Sequence, residues 1–134
     1  MLVASAHATS LPPAGSGCGE SGPTQSEARP IASLASKTLT LRDTGRVRLL
    51  VRGNQTAAAT VSITQDGGRR VGGTNADQYT CTTPDTGIVS LPLNVYGRAL
   101  VRRHGRLPVR LTVHLVNGSG VRNTVRLSGV IHPE

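Results

Sequence analysis

A chain of 134 residues and 13.9 kDa has room for one domain of ordinary size and a tail. Its 15 basic residues, all arginine except Lys37, face seven acids, giving a formal charge of +8 and a sequence pI near 11.3. With no Phe, no Trp and only Tyr79 and Tyr96, the stacking platform of a single-strand binder is missing, and no run approaches the roughly 18 apolar residues of a spanning helix.

The charge alone would suggest an anionic partner. The composition offers a plainer source: 16 Gly, 8 Pro and a single lysine are what a genome rich in G and C produces. The arginines are also spread over many segments rather than massed on one helix, so a nucleic-acid partner is not expected.

Residues 1–36 read as a flexible Gly/Ser/Pro-rich lead, too poor in apolar side chains to offset the entropy of ordering. Ala6-His7-Ala8 resembles a secretory cleavage step without a basic start or full apolar stretch before it. The lead is either the stub of a signal region or an arbitrary boundary. Gly15-Ser16-Gly17 before Cys18 lacks the aliphatic residue of a lipobox. The run Gly17 to Gly22 spells G-x-G-x-x-G by letter, but no strand precedes it and Pro23 follows, so it is not a dinucleotide cradle.

From Lys37 onward, alternation and turn residues recur about every ten positions, the spacing of an all-β sandwich. Seven strands are predicted: Lys37 to Arg42, Gly45 to Gly53, Ala57 to Gln65, Asp77 to Thr83, Gly87 to Val95, Leu107 to Val116 and Val121 to Ile131. In R-V-R-L-L-V-R, a period of two puts Val47, Leu49 and Val51 on one face and Arg46, Arg48 and Arg52 on the other. Asp43-Thr44-Gly45, Asp66-Gly67-Gly68 and Pro84-Asp85 are turn signals, and Asn117-Gly118-Ser119-Gly120 closes the best-patterned hairpin. Tyr96 to Arg106 does not alternate and suits a short helical turn ended by Gly105, with Leu100 docked inward and Arg102 and Arg103 in water. The expected core is aliphatic, built from residues such as Leu39, Leu49, Ile63, Leu91, Leu111 and Val113. The fold class is therefore all-β: a seven-stranded antiparallel immunoglobulin-like sandwich over 37–134 with one short helical turn, preceded by a disordered lead.

The succession G-R-V-R-L-L-V-R, then G-R-A-L-V-R-R-H-G-R-L-P-V-R-L-T-V, then a glycine turn and a closing V-R-L strand resembles the arginine-rich immunoglobulin-like or fibronectin-like repeats of secreted and surface proteins from high-GC bacteria. The resemblance covers about Lys37 to Pro133. It implies a spacer or accessory module at the extracellular side or cell surface, without an active site of its own. Such repeats often carry a local cysteine pair after the R-V-R-V-R strand, where this chain has Gly53 and Ala57 to Ala59.

The two cysteines present are Cys18 and Cys81. Joined, they would close a long loop and contribute about 4 kcal/mol on a loop-entropy argument; alternatively, Cys18 stays free or pairs elsewhere. Tyr79-Thr80-Cys81 imitates an antibody-type Y-x-C, but no Trp is available to pack on a bridge. No catalytic residue, cofactor site or metal site is expected. His7, His104, His114 and His132 share no ligand spacing, and Asp43, Asp66, Asp77 and Asp85 fall in or beside turns. Asn54-Gln55-Thr56 and Asn117-Gly118-Ser119 are glycosylation sequons by letter. The candidate interaction surface is the arginine face Arg46, Arg48 and Arg52, together with Arg69 and Arg70 in a mobile Gln65 to Ala76 loop. The function expected is a non-catalytic spacer, stalk or interaction module. Its partners would be adjacent domains of a longer chain or cell-wall polymers, and the alternative is a weak polyanion-binding or carbohydrate-binding module.

Overall fold

The computed structural model describes Cys18 and residues 28–65, 68–75 and 78–134. In chain order its elements are β1 (Ala32–Leu34), β2 (Thr38–Leu41), β3 (Arg46–Gly53), β4 (Ala57–Gln65), β5 (Arg70–Gly73), β6 (Thr80–Thr82), β7 (Thr86–Pro92), α1 (Val95–His104), β8 (Leu107–Asn117) and β9 (Arg122–Pro133). Hydrogen bonds run through the order β1-β3-β2-β9-β8-β4-β5, with β7 along β3 and β6 along β4, making one mixed sheet of nine strands.

That sheet folds over on itself at β2. Thr40 and Leu41 pair antiparallel with β3, while Thr38 to Leu41 pair parallel with Val130 to Pro133 of β9. Strands β3 and β7 share no ladder with β4 and β8, yet Val47, Leu49, Val89 and Leu91 lie in one buried cluster with Val61, Ile63, Leu111 and Val113. Two layers thus face each other across an aliphatic core. The alternation explains it: in β8 the inward Leu107, Val109, Leu111, Val113 and Leu115 are buried and the intervening Pro108, Arg110 and His114 are exposed. Each buried Leu, Ile or Val stabilises the fold by about 1.5–3 kcal/mol before chain entropy is set against it.

Two of the nine strands were not legible as strands, so the seven-strand, wholly antiparallel expectation is corrected. β1 falls within 1–36, where Ala32-Ser33-Leu34 is too short and small to show a period, but it pairs with Val51 to Gly53. β5 falls within Gln65 to Ala76 and is a strand rather than a loose connection. Val71 is fully buried there, and a Cβ on Gly72 would stand 2.6 Å from the Pro92 carbonyl oxygen, so only glycine lets the strand lie this close. The parallel β2–β9 pair joins strands far apart in sequence, a relation no local pattern displays. Expectations about Ala6 to Ala8, Gly17, Gly19 to Gly22, His7, Asp66 and Asp77 concern positions outside the described residues.

α1 replaces both the end of the strand predicted to reach Val95 and the start of the helical turn. The Asn94 side chain accepts from Gly97 N–H at 2.7 Å, capping the helix, and Gly105 closes it in the left-handed region at φ 73° with its N–H on the Val101 carbonyl. The helix docks through fully buried Val101, while Leu100 is half-buried and Arg102 and Arg103 are exposed.

Candidate interaction surfaces

Side-chain hydrogen bonds to backbone cluster at the pole where β3 ends and β4 begins. Here four side-chain amides hold the incoming backbone. Asn54 accepts from Ile31 N–H at 2.8 Å and donates to the Arg29 carbonyl; Gln55 donates to the Ala28 carbonyl at 3.0 Å; Asn123 donates to the Pro30 carbonyl. Asn117, only 2% exposed, donates to Gln55 Oε1 at 2.8 Å and also reaches the Ala28 carbonyl. Its own Oδ1 accepts from Ser119 and Val121 N–H, shaping the turn into β9. Asn117 is therefore a buried structural residue, whatever the sequon letters suggest.

Cys18 and Cys81 are joined by a disulfide with Cα atoms 5.5 Å apart, fastening the lead to β6 at the same pole. Cys81 lies opposite Ala58, which lies opposite Val116, and these two buried residues pack against Cys18. They sit on the outward side of their strands. The signal was present in sequence: Leu115-Val116 and Ala57 to Ala59 break alternation, and apolar residues matched on an outer face need a cover.

The opposite pole, where β3 begins and β9 ends, is closed differently. Arg42 Nε pairs with Glu134 at 2.7 Å, the two side chains 40% and 47% exposed, and Glu134 Oε1 accepts from Asp43 N–H at 3.3 Å. An ion pair this open contributes at most about 1 kcal/mol. The N-terminal segment thus reaches the fold at one pole and the C-terminal strand leaves at the other.

The predicted interaction residues lie on β3 (Arg46, Arg48, Arg52) and at the start of β5 (Arg69, Arg70). Arg46 is committed to Ser90 on β7, through Nε to Oγ at 2.9 Å and Nη2 to the carbonyl at 2.7 Å. It borders an open groove of about 360 Å³ that also contains Tyr79, Gln78 and Thr74. Arg48 is exposed, and Arg52 leans on the Pro84 carbonyl at 3.4 Å. Arg69, just before β5, holds its guanidinium 3.7 Å above the Tyr96 ring of α1. Arg70, on β5, donates to the Thr74 carbonyl at 2.9 Å. Most of these arginines are thereby occupied in holding backbone or ring. Other exposed cations outside the predicted surface include Lys37 before β2 and Arg110, Arg122 and Arg126 on the outward faces of β8 and β9.

Among the described residues there is no group of three or more His, Cys, Asp or Glu placed to hold a metal ion, and no helix is long and apolar enough to cross a membrane. His114 Nδ1 lies 2.9 Å from Thr124 Oγ1 across the β8–β9 ladder.

No protein-family model matches this chain, and no curated protein does. Among solved structures it is similar to the crystal structure of the periplasmic chaperone SfaE, at 10% identity and a TM-score of 0.49, over 78% of this chain and 57% of that one. The chain spans little more than half the length of that structure.

Proposed function

We propose that this domain is a non-catalytic spacer module of an exported or cell-surface protein, carrying load between its two ends. The observation that supports this best is the placement of those ends. The chain arrives at one pole, held by the amide cluster and the Cys18–Cys81 disulfide, and departs from the other beside Arg42 and Asp43. β8 and β9, with 11 and 12 residues, run the distance between the poles, roughly 35–40 Å at the usual rise.

Force along this axis meets the ladder in its stronger direction. β9 is bonded to β8 on one edge and to β2 on the other, and a pull on its C-terminal end slides it along both. Inter-strand bonds run across the strands, so sliding loads many of them together rather than one after another. A disulfide supports the exported setting, because such bonds persist in oxidising compartments. The non-catalytic reading is supported by the scatter of the described carboxylates, with Asp43 and Glu134 at one pole and Asp85 in the β6–β7 turn.

The test is force applied between the chain ends of the oxidised protein. A load-bearing module yields in one cooperative step; extension at forces that merely straighten an unstructured polypeptide contradicts the reading.

A further inference from the structure

The outward face of β4, β8 and β9 is a ladder of cations and hydroxyls. Register sets its rows: Thr64, Arg110 and Ser128; next Ser62, Thr112 and Arg126; next His114 and Thr124 beside the buried Thr60. Arg110 and Arg126 are diagonal neighbours, a relation that places Cβ atoms roughly 7–8 Å apart. Beside Arg110 lies an open depression of about 270 Å³, its floor formed by Pro108, Val109, Gly129 and Val130 and its polar edge by Lys37, Arg110 and Ser128.

The charges here are uncommitted. The side-chain cations of Lys37, Arg110 and Arg126 are exposed and make no hydrogen bond or ion pair with the described residues, in contrast to Arg46 and Arg52 on β3. None of the described carboxylates, Asp43, Asp85 and Glu134, is on these rows. Two unpaired cations set among Ser and Thr hydroxyls, with Lys37 across the depression from Arg110, complement a chain of anionic groups rich in acceptor oxygens. No aromatic side chain lies on the rows: Tyr96 is on α1 under Arg69, and Tyr79 borders the groove beside Arg46. The face therefore offers nothing on which a base could stack.

We propose that this face binds a flexible phosphodiester polymer without bases, of the polyol-phosphate kind, across Lys37, Arg110 and Arg126. The proposal is independent of the spacer reading, since a spacer needs no ligand and this face needs no load.

The test is a titration of the whole oxidised chain with poly(glycerol phosphate) at low and at moderate salt. Saturable binding at low salt is expected, weakening as salt rises. The variant K37Q/R110Q/R126Q should bind at least tenfold more weakly, with the slope of log affinity against log salt reduced by about 2. The variant R46Q/R48Q/R52Q removes the same charge from β3 and should lose less than threefold. Should the first variant melt early, R126Q alone, which breaks no hydrogen bond or ion pair among the described residues, should still lose two- to fourfold with an unchanged melting temperature. Equal losses in the two triple variants would mean that net charge alone binds, and would overturn the proposal. No binding at low salt, or tighter binding of oligothymidylate at equal charge, would overturn it as well.

Discussion

Asn117 donates its side-chain amide to Gln55 Oε1 at 2.8 Å, and through this contact the β8–β9 turn is tied to the β3–β4 connection, whose Gln55 in turn holds the Ala28 carbonyl. The same residue accepts from Ser119 and Val121 on its other side, so every polar atom of its amide has work inside a buried site. Asn117→Ala removes these bonds and leaves the Ser119 and Val121 donors without their acceptor. A loss of about 2–4 kcal/mol is expected in urea unfolding. The burial also predicts that a glycosylating host leaves Asn117 unmodified in folded protein, which mass spectrometry of the tryptic peptide would check.

The disulfide should contribute about 4 kcal/mol on the loop-entropy argument for its separation of 63 residues. Cys18→Ser and Cys81→Ser should therefore lower the urea midpoint by similar amounts, and reduction of the native chain should reproduce the shift. A double variant no less stable than the reduced protein would agree with this; single variants that differ widely from each other would not.

Two glycines in and after α1 should respond to alanine for different reasons. At Gly97 a Cβ would meet the Val71 carbonyl oxygen at 2.8 Å and Leu93 Cγ at 2.9 Å, so Gly97→Ala should destabilise by about 1–3 kcal/mol, although alanine favours a helix by about 1 kcal/mol. At Gly105 space is open, but φ is 73°, and Gly105→Ala should cost about 1 kcal/mol while Gly105→Asn is nearly neutral. Thermal melting of the three variants separates close packing from backbone conformation.

Ile88, 65% exposed on β7, lies outside the core that its neighbours Val89 and Leu91 enter. Ile88→Lys should change unfolding free energy by no more than about 0.5 kcal/mol, whereas Val89→Ala should cost about 1–3 kcal/mol. Reversal of that order would mean that β7 is in the wrong register on β3.

Alternation made much of this fold legible. β3, β4, β8 and β9 stand close to their predicted bounds because one dry face imposes a period of two, and Gly105 ends the helix as a C-terminal glycine should. What escaped did so for local reasons. β1 is three small residues, β5 hides its register behind Gly72 and Gly73, and the parallel contact of β2 with β9 is a matter of tertiary arrangement. The surfaces were harder to read, because a side chain's outward direction does not tell whether it is free. Arg46 points outward and is spent on Ser90, while Arg110 and Arg126 point outward and are not. The amide cluster gave no motif at all, since Asn54, Gln55, Asn117 and Asn123 converge on residues 28–31 only when the end of β3, the start of β4 and the β8–β9 turn are brought to one pole.

The load-bearing account is tested most directly by stretching single molecules between their ends, first oxidised and then reduced. In the oxidised chain the Cys18–Cys81 bond keeps the residues between them closed, so unfolding releases residues 82–134 in one step of no more than roughly 190 Å. Reduction should add roughly 220 Å for the 63-residue separation now free to extend. A single force peak with these two lengths is the predicted result; equal lengths in both redox states, or extension without a force peak, would contradict it.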